Sequence, residues 1–210
     1  MTVEMTDGRR LRGERSRAQI LDHAITIAST DGLEGLTIGR VATEAGVSKG
    51  NITVLFGSKE GLQIATFERA MEQFRQIIVA PALSQPTALE CILTWIENWF
   101  AFVSERALPG GCFLNAVSSE YRAKEGAVHD AIAAYRAAAR QRLEEWIEQA
   151  RADGDLAKDT DVKALALGLL AYQSIANVAF SMGETALFDQ AHETCRQLVR
   201  DKTVKLRSRK

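Results

Sequence analysis

Apolar residues recur at helical spacing along most of the 210-residue chain. The first clear stripe follows a charged start, ends at Asp31-Gly32 and consists of Ile20, Ala24, Ile27 and Ala28. Similar stripes at steps of three and four residues predict longer helices over about 86–105, 128–150, 161–182 and 185–203. No segment alternates apolar and polar residues as a strand would, so the pattern predicts an all-α fold.

Three shorter helices are predicted between the first helix and the long ones. Thr37 is placed to cap a helix that Gly46 ends, and Ser48 is placed to cap a second one that runs to about Phe56. Ser58 caps the third, which continues into the larger half of the chain. The turn Ala45-Gly46-Val47 allows the two short helices to cross sharply, so residues 37–59 predict a helix-turn-helix.

A helix-turn-helix places its second helix in the major groove of DNA. Ser48 and Lys49 stand where a helix N-terminus favours phosphate, and Asn51 can pair with adenine. Thr53 can touch a thymine methyl group or a phosphate, and Lys59 is placed to reach the DNA backbone. The candidate DNA-binding residues are Thr37, Arg40, Ser48, Lys49, Gly50, Asn51, Thr53 and Lys59.

Charge changes this picture only locally. Lys and Arg total 26 against 27 Asp and Glu, a net charge of −1, so DNA binding must depend on local cations. Residues 1–13 are predicted to form a flexible basic arm, which either reaches DNA or is a solvated tail. The cations of the arm are Arg9, Arg10 and Arg12, and Arg15 and Arg17 follow directly after it. The basic tail 204–210 is expected to be solvated.

Other functional classes receive little support from the sequence. No signal segment is visible, three dispersed cysteines form no disulfide framework, and the apolar stretch 164–180 is too short and polar for a membrane span. We therefore expect a cytoplasmic protein without a membrane partner. Catalytic motifs are absent, and His192 with Cys195 supplies too few ligands for zinc, so no enzyme activity, cofactor or metal is expected.

The chain resembles the TetR (tetracycline-repressor-like) family of transcriptional regulators. The resemblance rests on residues 15–70, above all Gly46-Val-Ser-Lys-Gly50 followed by Phe56-Gly-Ser-Lys-Glu60, and more weakly on Gly110-Gly-Cys-Phe-Leu114 and Glu120. It implies a DNA-binding domain over 14–70 and a helical bundle over 71–203 for effector binding and dimerisation. It also implies a repressor that acts as a homodimer on double-stranded operator DNA.

Two alternatives remain open at this stage. The family usually carries aromatic residues where this chain has Thr53 and Leu55, which keeps open an all-α ligand-binding or interaction protein with impaired DNA binding. Cys112 lies near a predicted helix start, where a lowered thiol pKa would suit a redox sensor. The simpler interpretation of Cys112 is a buried, inert side chain.

Aromatic and polar residues of the middle helices suggest a cavity for a small, mostly apolar effector, although each aromatic residue taken alone fits an ordinary core. The candidate pocket residues are Trp95, Trp99, Phe102, Phe113, Asn115, Tyr121, Tyr135, Trp146, Tyr172, Asn177 and Phe180. Small and apolar residues near the C-terminus suggest a dimer interface, with intrachain packing as the alternative. The interface candidates are Leu165, Gly168, Leu169, Tyr172, Ala176 and Ala179.

Overall fold

The computed structural model describes residues 3–204, with side chains from residue 13 onward. The described residues form helices and connecting turns without a strand, as the periodicity predicts. The helices are α1 (Val3–Asp31), α2 (Ile38–Glu44), α3 (Lys49–Phe56), α4 (Lys59–Phe74), α5 (Ala80–Leu83), α6 (Ala88–Ser104), α7 (Phe113–Glu120), α8 (Ala127–Ala152), α9 (Val162–Ser181) and α10 (Thr185–Arg200).

The chain divides into two compact units. The first unit contains the chain up to Gln73 together with Ala116–Ile132, and the second contains Phe74–Asn115 and the residues from Ala133 onward. The first unit therefore holds the helix-turn-helix and also a segment from the middle of the chain. A division of the sequence into 14–70 and 71–203 does not anticipate the place of 116–132.

Side-chain caps define the short helices of the first unit. Thr37 Oγ1 accepts a hydrogen bond from Arg40 N at 3.1 Å, and Ser48 Oγ accepts one from Asn51 N at 3.1 Å, which confirms both predicted caps. Gly46, with φ of 65°, forms the turn between α2 and α3 in a conformation that suits glycine. The core of this unit includes Ile20, Leu21, Ile25, Leu33, Leu36, Val41, Ile52 and Leu62, each at most 2% exposed.

The ends of two helices differ from the sequence-based expectation. α1 begins at Val3, so residues 3–13, which we expected to form a flexible arm, are part of this helix. The side chains of Arg9, Arg10 and Arg12 lie outside the described residues, as does most of the basic tail. Pro86 precedes α6, whose cap is Thr87, rather than lying in its first turn.

In the second unit, α6, α9 and α10 pack together around an aromatic and aliphatic core. A π-helical turn (Arg75–Val79) joins α4 to α5. Pro81 has no N–H to donate, and the chain accommodates it by the wider turn, in which Ala80 N donates to Arg75 O. Asn98 of α6 satisfies the carbonyl of Ile78 at 3.2 Å.

One described helix, α9, is long and apolar enough to cross a membrane by length and composition alone. The core helices of water-soluble proteins often have the same properties. In this fold α9 contributes core side chains, and its buried face includes the polar residues Gln173 and Asn177. By length and composition the helix thus exceeds the sequence-based expectation of a stretch too short and polar for a span, and only one of its faces is buried.

Candidate nucleic-acid interface

The exposed face of α3 is the surface that a helix-turn-helix presents to DNA. Lys49, Gly50, Asn51 and Thr53 are exposed on it, while Ile52 anchors the helix in the core. Phe56 completes this anchor at the end of the helix, where the guanidinium of Arg17 lies 5.2 Å from its ring centroid. The predicted α3 residues therefore lie together on one accessible surface.

Val54 belongs to the same surface, although it is not among the residues that the sequence predicts to bind DNA. Its side chain is 86% exposed, the highest value among the exposed large apolar residues of the described chain. An exposed valine has no role in the core, and apolar side chains on a recognition helix can contact the methyl group of thymine. The missed signal was its position, three residues after Asn51 on the same helical face.

Several predicted polar contacts already have partners within the chain. The hydroxyl groups of Thr37 and Ser48 serve as caps, and Thr53 Oγ1 donates to Lys49 O at 3.1 Å. Because Thr37 and Ser48 accept in these caps, their O–H groups can still donate to a phosphate, whereas the O–H group of Thr53 is already used. The Ser48 hydroxyl and the backbone N–H groups at the start of α3 are therefore the candidate donors toward a phosphate.

Two predicted DNA-binding cations are held in ion pairs. Arg40 pairs with Asp31, and its hydrogen bond lowers the pKa of that carboxyl group. Lys59 Nζ donates to Glu34 Oε2 and to Glu34 O, both at 2.9 Å. The charges of both cations are thus partly neutralised before any DNA is bound. Lys49 forms no salt bridge with another described side chain and is the least compensated cation of the predicted set.

Glu34 collects contacts from several elements of the first unit. Besides Lys59, its carboxylate accepts a hydrogen bond from Tyr121 Oη at 3.1 Å and pairs with Lys124 Nζ at 3.2 Å. These donors, led by Lys59, lower the pKa of Glu34 to about 2. Burial and the neighbouring Glu34 carboxylate raise the pKa of Tyr121. Tyr121 therefore belongs to the first unit, whereas the other predicted pocket residues belong to the second; its role in an effector pocket stays a prediction.

The remaining pocket candidates lie in the second unit. Trp95, Trp99, Phe102, Phe113 and Asn177 are buried. The half-buried members are Asn115, Tyr135, Trp146, Tyr172 and Phe180. A groove of about 500 Å³ lies elsewhere, in the first unit, where α1 and the turn after α2 line it.

Two buried amides of α9 stand out among these apolar neighbours. Asn177 Oδ1 accepts a hydrogen bond from Cys112 N at 2.6 Å. Gln173, one turn earlier on the same helical face, is 4% exposed, and its Nε2 has no hydrogen-bond partner among the described residues. A buried amide without a partner costs free energy, so Gln173 Nε2 is a donor available to a bound molecule.

The cysteines do not have the environment of reactive thiols. Cys112 is 2% exposed, and burial raises the pKa of its thiol, opposite to the shift that a redox sensor requires. Burial also raises the pKa of Cys195 to about 12. His192 Nε2 lies 3.2 Å from Glu97 Oε2, and its ring stacks on Phe100 at 4.1 Å, so His192 and Cys195 have separate structural surroundings.

Most of the predicted dimer residues are covered within one chain. Leu165, Leu169, Ala176 and Ala179 are at most 6% exposed, and a side chain at Gly168 would meet Leu198 Cδ1 at 3.3 Å. Tyr172 is half-buried against the same core. The structure therefore assigns these side chains to intrachain packing, because they form the inner face of α9. Its outer face exposes Leu167, Ile175, Val178 and Met182, by 67%, 49%, 62% and 73%.

Two family models match the chain. Residues 20–66 match the model described as bacterial regulatory proteins, tetR family, and residues 88–201 match the tetracyclin repressor-like C-terminal domain. A fatty acid metabolism regulator protein of Bacillus subtilis (strain 168) is 28% identical over 86 residues. That match spans 41% of this chain and 44% of the relative, less than half of its length.

Solved structures share the fold. A TetR transcriptional regulator from Chloroflexus aurantiacus J-10-FL is 20% identical with a TM-score of 0.83, over 91% of this chain and 98% of that one. AibR, solved in complex with isovaleryl coenzyme A and operator DNA, is 17% identical with a TM-score of 0.63. That likeness covers 80% of this chain and 95% of AibR.

Proposed function

Because the chain belongs to the TetR family of bacterial transcriptional regulators, and is a DNA-binding transcriptional regulator, we propose that it is a ligand-responsive repressor. In this proposal it binds a palindromic operator as a homodimer in the cytoplasm, and it acts as a regulator rather than as an enzyme. The observation that carries the proposal is the exposed face of α3, where Lys49, Asn51, Thr53 and Val54 lie together on a helix that its caps and core anchors hold in place.

Each exposed α3 residue has a distinct role in this proposal. Asn51 pairs with adenine through its amide, and Val54 packs on a thymine methyl group. Lys49 and the first N–H groups of α3 bind phosphate. The two α3 helices of a dimer read half-sites about 34–36 Å apart, which accounts for a palindromic operator.

A second copy of this chain is the proposed partner of the outer face of α9. The exposed apolar residues of this face are spaced at helical intervals and form one stripe along the helix, which consists of Leu167, Ile175, Val178 and Met182. Contiguous exposed apolar surface of this kind marks protein interfaces. A two-fold axis would place the same stripe of both copies face to face, as the symmetry of an operator requires.

An acyl-chain compound with an oxygen acceptor is the proposed effector. Buried aromatic side chains of α6, such as Trp95 and Trp99, would contact the acyl chain of the effector, and Gln173 Nε2 would donate a hydrogen bond to its oxygen acceptor. Relatives support this class: the Bacillus subtilis match is named for fatty acid metabolism, and AibR was solved with isovaleryl coenzyme A. The effector would lower operator affinity by favouring a conformation that DNA binds less well.

Operator selection tests the DNA-binding proposal. The purified chain is incubated with a random DNA pool and, separately, with the region upstream of its own gene, and bound DNA is sequenced. We expect an enriched palindrome, and we expect the wild type to shift this DNA in a gel at low salt. Asn51→Ala should also shift DNA but should discriminate less between bases at the positions that Asn51 contacts. Failure to enrich any sequence, with a folded protein at low salt, would overturn the proposal.

A thermal-shift screen tests the effector proposal separately. Short-, medium- and long-chain acyl-CoA thioesters are added to the wild type and to Gln173→Leu, and hits are added to the operator complex. We expect a ligand that raises the Tm of the wild type, shifts Gln173→Leu less and releases the operator. If none of these compounds changes the Tm or the operator affinity, the acyl class is wrong, while the DNA-binding proposal is unaffected.

A further inference from the structure

The carboxylate of Glu120, at the end of α7, holds the backbone of the turn after α1. Glu120 Oε2 accepts a hydrogen bond from Leu33 N at 2.9 Å, and Oε1 accepts one from Glu34 N at 2.8 Å. Both N–H groups lie past the end of α1, and neither donates to a backbone carbonyl of the described residues. Hydrogen bonds from N–H groups to a carboxylate are among the stronger ones in proteins.

Gly32 makes this approach of Glu120 possible. A Cβ atom at Gly32 would lie 2.7 Å from the Glu120 carboxyl atoms, closer than nonbonded atoms tolerate. Gly32 also has φ of 76°, which a residue with a side chain rarely adopts. From another side, buried Gln63 donates through Nε2 to Leu33 O at 2.8 Å. Side chains of α4 and α7 therefore fix the Leu33 peptide groups on both sides.

This turn leads directly into the helix-turn-helix. Leu33 and Leu36 are fully buried on either side of Gly35, and Thr37 then caps α2. The direction in which the chain leaves α1 thus determines where α2, and with it α3, is placed on α1. A displaced turn would shift the exposed α3 residues, and hydrogen bonds to base edges depend on the distance and angle at which those residues meet the DNA.

We propose that Glu120 is a positioning residue for operator recognition, acting through its two hydrogen bonds to the turn between α1 and α2; this inference rests on the proposed function. Glu120 lies within residues 88–201, which match the C-terminal family model, although it belongs to the first compact unit. A carboxylate repels DNA phosphates. Any favourable effect of Glu120 on operator binding must therefore come from the geometry of the turn.

The sign of the effect on DNA binding separates positioning from charge. Glu120→Ala and Glu125→Ala each remove one negative charge, and Glu125 is an exposed residue of the same unit. We expect Glu125→Ala to bind operator and unrelated DNA as well as the wild type or slightly better. Glu120→Ala should lose about tenfold in the ratio of operator to unrelated-DNA affinity, while its affinity for unrelated DNA does not fall.

Two further variants keep the test informative if Glu120→Ala folds poorly. Glu120→Gln keeps one acceptor oxygen and should lose less of the affinity ratio than Glu120→Ala. Gly32→Ala retains the Glu120 carboxylate but displaces it from the turn, so it should reproduce the loss. Melting temperatures of all variants show that each protein is folded at the temperature of the binding experiment.

Amide hydrogen exchange measures the turn directly. We expect the Leu33 and Glu34 amides to exchange faster in Glu120→Ala and Gly32→Ala, with unchanged exchange in the core of α4. A folded Glu120→Ala protein that keeps the wild-type affinity ratio would overturn the positioning role, although the repressor proposal would stand. If the wild type itself shows no preference for any DNA sequence, both proposals are overturned.

Discussion

Lys59 Nζ lies 2.9 Å from Glu34 Oε2 and 2.9 Å from the Glu34 carbonyl oxygen, and this pair joins the start of α4 to the turn after α1. In the absence of DNA, Lys59 therefore stabilises the turn after α1. The same Glu34 carboxylate also receives Tyr121 and Lys124. The carboxylate of Glu34 thus contacts two cations and one hydroxyl group of the first unit.

Glu34→Gln should reduce stability at neutral pH but much less at acidic pH. The folded pKa of Glu34 is about 2, below its ordinary value of 4.5, so its contribution is present above pH 4.5 and is lost as the pH falls toward 2. Because Glu34 is about half exposed, we expect a loss of only about 0.5–1 kcal/mol at pH 7.

Urea denaturation at several pH values between 7 and 3 measures this effect. The wild type should lose stability faster than Glu34→Gln as the pH falls below 5. Lys124→Met removes one of the two cations that face the carboxylate and should retain part of the pH dependence. Parallel stability curves for the wild type and Glu34→Gln across this pH range would contradict the assignment.

Lys49→Ala and Lys59→Ala should differ in the salt dependence of DNA binding. Lys49 is exposed at the start of α3, whereas the charge of Lys59 is partly neutralised by Glu34. Removing a phosphate contact reduces the slope of log affinity against log salt by about 1. We expect this full change for Lys49→Ala and a smaller one for Lys59→Ala, measured by fluorescence anisotropy. A larger change for Lys59→Ala would show that the pair with Glu34 opens on DNA.

Val54→Ala should change base preference without changing stability. The side chain is 86% exposed, so its removal exposes no core and should leave the Tm unchanged within error. If Val54 contacts a thymine methyl group, discrimination at that base pair should fall by about 1 kcal/mol or more. Binding to a set of operators with single substitutions locates this base pair. An unchanged preference at every position would place Val54 outside the DNA contact.

The sequence predicted those parts of the fold that local rules determine. The caps Thr37 and Ser48, the turn at Gly46 and the stripes of the long helices depend on residues a few positions apart. The contact of Glu120 with Leu33 joins positions 87 residues apart, and a glutamate and a leucine in the sequence do not indicate such a contact. The same limit explains why ion pairs of Arg40 and Lys59 were missed.

The sequence could not separate the two faces of α9 for a different physical reason. Its apolar residues surround much of the helix, so composition alone could not tell which stripe faces the core and which faces outward. Small residues such as Ala176 and Ala179 favour close helix packing in either place. Only the arrangement of α6 and α10 against α9 shows that they lie on the inner face.

Val178→Asp should therefore prevent dimerisation, because it would bury an unpaired carboxylate in the centre of the proposed interface. In one chain Val178 is 62% exposed, so the substitution should leave the helical content and the fold of the monomer intact. Leu83→Asp is the matched control, since Leu83 is also apolar and 53% exposed but lies on α5. Analytical ultracentrifugation should show a dimer for the wild type and the control and a monomer for Val178→Asp. The monomer should also bind a single half-site far more weakly than the dimer binds the full operator. A stable Val178→Asp dimer would mean that the two copies associate through another surface, and the apolar stripe of α9 would then need a different partner.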